Sequence, residues 1–251
     1  MLSSVGGLVT AVTALLTIVE MRRQRESSYK PEIVVIPPEL RFEPSTGFPP
    51  LLCRRKDTPS SEPLSGVAAS VDCVNVGAGA ARDILASWEF DHQLAAADLS
   101  PFLSNRGFSV WLDNNNTRID FEENGQTRTT SFTDLHATTG VPFLLPAQSP
   151  ETIFRVPLPP DYLLLMRMGI YSVPGHPSND GPQVSLPRPP LLTLYLAYTD
   201  VGGARRRRVF KLQFHFTSYS SSMGPNGRSS LNEAEARATV AIQRIWPWNR
   251  K

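Results

Sequence analysis

Three groups of residues in this chain have the types that chemistry needs. Asp91-His92 and Ser109 could supply an acid, a base and a nucleophile if the fold brought them together. Gly77 and Gly79, in the stretch "NVGAGAARD", match the first two glycines of a phosphate-binding turn. Arg205, Arg206, Arg207 and Arg208 form a run that could meet phosphates or acidic lipid.

Each group also has a plainer reading. A dinucleotide fingerprint needs a third small residue where Arg82 stands, and then a helix whose N-terminus meets the phosphates. Instead Ile84, Ala86, Trp88 and Phe90 alternate with Leu85, Ser87 and Glu89, which is the period of a strand. The stretch therefore reads as two strands around a tight corner, with the glycines supplying positive φ. The arginine run lacks interleaved aromatic residues, which argues against single-stranded nucleic acid, and its plain reading is a solvated strand edge. No G-x-S-x-G, H-E-x-x-H, P-loop or C-x-x-C is present, and His92, His136, His176 and His215 stand singly. Cys53 and Cys73 have no metal-ligand spacing; two free thiols is the plainer reading, and one disulfide between them is the alternative. No catalytic residue, cofactor site or metal site is expected.

The elements that hold these residues follow from composition and pattern. The chain has 251 residues, 41% of them hydrophobic, enough to bury a sizeable core. Its net charge of +2 implies no long-range attraction to nucleic acid. Proline occurs 23 times, well above the usual share of roughly 5%, and this favours strands and long connections over helices.

Residues 1–21 open with an uncharged apolar run followed by Arg22, Arg23, Arg25 and Lys30. At 1.5 Å per residue the run just reaches across a bilayer core of about 30 Å, so a transmembrane anchor is expected, with the threonine hydroxyls returned to the helix backbone. The positive-inside rule then places residues 22–251 in the cytoplasm, on the inner (plasma) membrane.

Residues 22–31 form a basic juxtamembrane segment, 32–218 the β body, 219–229 a linker, and 230–251 a short amphipathic helix. Within the body, a short helix is expected from Gln93 to Leu99, stopped before Pro101, and residues 44–65 read as a loop. The stretch from residue 139 to 173 reads as edge strands broken by prolines. "LLTLYLAY" and "RRRRVFKLQFHFTS" make a closing hairpin, with Phe210, Leu212, Phe214 and Phe216 on its inner face. The C-terminal helix is read from Ser230 and Glu233 at capping-box spacing and a stripe through Leu231, Ala234, Ala238, Ala241, Ile242 and Ile245. Trp246 and Trp248 beside Arg250 and Lys251 resemble an interfacial anchor.

Two turn motifs carry a resemblance. Asn75, Gly77, Gly79 and Ala81 (N-x-G-x-G-x-A), followed by Tyr198, Asp200 and Gly203 (Y-x-D-x-x-G), resemble the landmarks of a loose group of uncharacterised bacterial proteins. That resemblance implies one N-terminal membrane helix and an immunoglobulin-like antiparallel β-sandwich, and it implies no catalytic residues. The function expected is a non-enzymatic interaction or scaffolding module at the membrane. Its expected partners are the membrane and a protein the sequence does not identify, and a homo-oligomer is compatible. The alternatives are a periplasmic ligand- or glycan-binding domain of reversed topology, and a hydrolase.

Overall fold

The computed structural model describes residues 12–21, 24, 29–44, 51–57, 69–104, 108–113, 116–123, 126–133, 138–147, 152–172, 188–220 and 235–245. These residues are mainly β. Helix α1 covers residues 12–21, and its Thr17 hydroxyl donates to the Thr13 carbonyl at 2.9 Å, as the threonine spacing predicts. Among the described residues no helix is long and apolar enough to cross a membrane. Residues 1–11 of the expected span lie outside the described residues.

Among the described residues, thirteen strands form three sheets. The first holds β1 (Ile33–Ile36), β4 (Ser70–Asn75) and β10 (Ile153–Pro157), in the order β1-β4-β10. The second holds β2 (Leu40–Pro44), β3 (Leu51–Arg55), β5 (Ala81–Glu89), β9 (Thr139–Leu144), β11 (Leu192–Asp200), β12 (Arg205–Ser220) and β13 (Glu235–Ile245). Its order is β3-β2-β13-β12-β11-β5-β9. The third is a meander of β6 (Phe108–Asp113), β7 (Asn116–Glu123) and β8 (Gln126–Thr133).

The first two sheets share one core. Val71, Cys73, Phe154 and Val156 from the smaller sheet lie in the same buried cluster as Ile84, Trp88, Leu194 and Phe214 from the larger. Two polar clamps also cross between them. The Trp88 indole donates to the Pro157 carbonyl at 2.8 Å, and Arg55 at the end of β3 pairs with the buried Asp72 of β4 at 2.5 Å. Cys53 and Cys73 are free and buried in this core, and burial pushes both thiols well up in pKa, Cys73 to about 12. They are packing residues rather than nucleophiles.

Helix α3 (Pro160–Ser172) corrects the expectation of Pro-broken strands here. Pro160 is pre-set for the first helical turn, and the run after it is made of good helix formers. Tyr162, Met166 and Ile170, four residues apart, face the shared core, while Leu165 and Met168 face helix α2 (His92–Ser104). Helix α2 is longer than expected and passes through Pro101. The hydrogen bond that Pro101 removes is offset by burying Leu99 and Leu103 against Leu165 and Met168.

The largest correction is at the C-terminus. Residues 235–245 are strand β13, not part of an amphipathic helix, and they pair with β12 from Val209↔Ile245 to Ser220↔Glu235. The helical stripe coexists with a period-two pattern, Ala236, Ala238, Val240 and Ile242, and the second one decides. Without β13, the long apolar strand β12 would be an open edge; with it, Phe214 pairs with Val240 and Leu212 with Ile242. Trp246 and Trp248 lie outside the described residues. Residues 44–65 are also less irregular than expected, since β3 pairs with β2 there.

Phe214 is fully buried between α3 and the larger sheet, with its ring 5.5 Å from that of Tyr162. Phe214→Ala is expected to cost about 3–5 kcal/mol, measured by chemical denaturation. A loss below about 1 kcal/mol would mean that the two sheets do not share this core.

Candidate functional site

The glycine corner is built around one buried amide. Asn75 is fully buried, and its side chain makes four hydrogen bonds. Its Oδ1 accepts from the Glu32 amide at 3.0 Å and the Gly77 amide at 3.1 Å. Its Nδ2 donates to the Gly79 carbonyl at 2.7 Å and the Leu144 carbonyl at 3.2 Å. That fills the donor and acceptor capacity of a primary amide.

The glycines serve closeness rather than positive φ, which corrects the sequence reading. A Cβ on Gly79 would sit 1.6 Å from the Tyr29 carbonyl oxygen, and one on Gly77 would sit 2.3 Å from the Lys30 oxygen. The incoming chain, residues 29–32, is pressed directly onto the corner. No phosphate could occupy this turn without displacing it.

In the second motif, Asp200 closes the β11–β12 hairpin. Its Oδ1 accepts from the Ala204 amide at 2.8 Å, and its Oδ2 accepts from Arg206 Nε and Nη2 at 3.1 and 3.0 Å. Gly203 adopts φ +84°, as a turn glycine should. Burial pushes the Asp200 carboxyl up, but the Ala204 amide and the Arg206 guanidinium outweigh it and hold the pKa below the ordinary value. Tyr198 is buried on the core face of β11.

The four arginines divide by strand face. Arg206 belongs to Asp200. Arg207 lies over the Tyr195 ring on the outer face, 4.8 Å from its centroid. Arg205 is exposed, and Arg208 is half-buried on the face of Leu196. Pairing with β13 begins at Val209, so among the described residues Arg205–Arg208 are paired only with β11. The run is locally the edge that the sequence suggests, although β12 as a whole is an interior strand.

Asp91, His92 and Ser109 are placed by structural needs. Asp91 Oδ1 accepts from the Leu94 amide at 2.8 Å and caps α2. His92 is buried beside the Phe90 ring and close to Asp161, while Ser109 is exposed on β6 opposite Asp120.

A cleft that the sequence did not announce lies on the outer face of the larger sheet, with a volume of about 710 Å³. Its floor is Glu89, Tyr195, Lys211 and Gln213, from β5, β11 and β12. Phe90 and Leu94 form one wall, and Pro189 and Pro190 the other. That second wall is pinned: Gln213 donates to the Pro189 carbonyl at 2.9 Å and Tyr162 to the Pro190 carbonyl at 3.0 Å. The Tyr195 hydroxyl donates to Glu89 in a short bond, which raises the tyrosine pKa. Lys211 and His215 line one strand of the cleft, and Asp98 faces it from α2. The alternation that places Phe210, Leu212 and Phe214 inward turns Lys211, Gln213 and His215 outward to this cleft. Among the described residues no group of three or more His, Cys, Asp and Glu side chains could hold a metal ion.

Comparison of the chain with protein families, curated proteins and solved structures finds no match.

Two variants test the corners. Asn75→Ala leaves the Glu32, Gly77, Gly79 and Leu144 groups unpaired and is expected to cost about 2–4 kcal/mol, with amide exchange at Glu32 accelerating before global unfolding. For Asp200, a depressed folded pKa means that its stabilisation is full above the ordinary aspartate value and is lost as pH falls through the folded one. The stability gap between the native chain and Asp200→Asn should therefore be widest at neutral pH and close in acid, as read by denaturant melts at each pH.

Proposed function

We propose that this chain is a non-enzymatic interaction module: an immunoglobulin-like antiparallel β-sandwich held at the cytoplasmic face of the inner membrane by its N-terminal segment. One observation carries the reading. Val12, Leu15, Leu16, Ile18, Val19 and Met21 of α1 are all exposed, between 44% and 65%, and pack on none of the body's cores. An apolar helix turned away from its own domain is suited to lipid. The uncharged residues 1–11 before it and the arginines after it fit a span with the body inside.

The antiparallel pairing in both core-forming sheets and their shared core support the sandwich. The two turn motifs support the likeness to membrane-anchored bacterial proteins. The cleft is the surface we assign to the partner. Two of its three carboxylates are already engaged, Glu89 with Tyr195 and Asp91 with the start of α2, which favours recognition over acid–base chemistry. Its open shape and its mix of Lys211, His215 and Asp98 with proline and phenylalanine suit an extended polypeptide.

Paired C-terminal reporters, one active only in the cytoplasm and one only outside it, should give a cytoplasmic signal. A periplasmic signal would overturn the orientation and favour an envelope ligand. Pull-downs from solubilised membranes should recover a partner with the native chain and lose it with Lys211→Glu. Recovery of no reproducible partner and no oligomer would overturn the interaction role.

A further inference from the structure

The strand registers gather several loops at one end of the body. Asn75 bridges to Pro146 and its carbonyl accepts from the Ala147 amide at 2.8 Å, Ala81 pairs with both Leu144 and Asp200, and Thr199 pairs with Arg205. The glycine corner, the end of β9 and the β11–β12 turn therefore lie side by side. Tyr29–Glu32 is pressed against the same corner, so the chain from α1 arrives at this end.

The tips gathered there are apolar and exposed: Tyr29 58%, Val76 57%, Phe143 60%, Leu145 56% and Val201 52%. They come from four segments of the chain, with Phe143 and Leu145 both at the end of β9. Among them stand the cations Lys30, Arg82 and Arg205, against the exposed carboxylates of Glu32 and Asp83. Asp200, the other carboxylate at this end, is already paired with Arg206. Apolar tips among a surplus of cations make the pattern of a surface that dips into headgroups while its cations meet lipid phosphates.

Chain length supplies an independent constraint. No more than seven residues, 22–28, lie between the described turns of α1 and Tyr29. Fully extended, that connection reaches at most about 27 Å. If α1 lies in the membrane, the reading on which this inference rests, this end of the body cannot be farther from the bilayer than that, and three more arginines lie in the gap.

We propose that the loop end formed by Val76, Leu145 and Val201, with Lys30, Arg82 and Arg205, docks directly on an anionic lipid surface. The body then has two membrane contacts, a tether and a face. Docking stands β5 and β11 away from the bilayer and places the Glu89–Lys211 cleft at their far ends, toward the cytosol.

The test uses the full chain in vesicles, with Val201→Cys carrying an environment-sensitive fluorophore. Cys53 and Cys73 are buried, so the label goes to position 201. A second protein labelled at Leu94→Cys, at the far end of β5, reports on water exposure. With phosphatidylserine present, the probe at position 201 should shift to the blue and be quenched by a lipid-borne quencher, while the probe at 94 should not. Added salt should reverse the effect, and Arg205→Glu with Lys30→Glu should weaken docking roughly fivefold or more per charge. If the chain stays with the vesicles but the probe at 201 behaves like the one at 94, docking is overturned and the tether stands. If the chain does not associate with vesicles at all, the anchor reading falls and this inference with it.

Discussion

The four hydrogen bonds of Asn75 are the constraint on which the rest of the arrangement depends. A fully buried primary amide is tolerated only when all its polar atoms are paired, and the four partners here come from three stretches of chain: residue 32, the corner itself, and the end of β9. Satisfying the amide thus fixes how the N-terminal segment, the smaller sheet and the larger sheet meet. The glycines follow from it, because the amide reaches Glu32 only if the 29–32 backbone lies closer to the corner than a Cβ would permit. The choice of N-x-G-x-G is a packing solution, and its resemblance to a phosphate turn is a by-product of needing small residues beside a backbone.

Around that joint, the core is closed by side chains that serve two neighbours at once. Helix α3 is apolar on opposite sides, so it fills the space beside the sheets and also seats α2. Helix α2 in turn leads into the β6–β7–β8 meander. On the outer face of the larger sheet, β5, β11 and β12 run between the start of α2 and the 188–191 segment, and the space between those walls is the cleft. Its pinned prolines and its stacked Arg207–Tyr195–Glu89 row give it a shape that exists before any partner arrives.

Much of the β architecture was legible because period-two alternation is a direct imprint of one buried face. The closing hairpin and the corner both follow it, and the faces of Phe210, Leu212 and Phe214 are as the alternation requires. What the sequence hid were places where two periods fit the same letters. Residues 235–245 satisfy a helical stripe and a strand alternation, and the choice between them depends on pairing with the 16-residue strand β12. In residues 160–172 the prolines drew attention to breaks, although Pro160 begins a helix rather than ending a strand. The cleft was invisible for a different reason: its residues come from three strands, a helix start and a loop, each with an ordinary local role. The arginine run divided only when register assigned Arg206 to Asp200 and Arg207 to Tyr195.

The strap of residues 29–32 also has a mechanical meaning. β1 begins at the corner and runs away from it, antiparallel to β4, with Ile33 opposite Asn75 and Ile36 opposite Asp72. A pull on the N-terminal segment, directed away from the body, therefore drags β1 lengthwise along its neighbour. Its ladder bonds and the Asn75 bonds are loaded together in shear rather than opened one at a time like a zip. The N-terminal segment thus enters the domain where a pull along β1 is shared between the β1–β4 ladder and the Asn75 bonds.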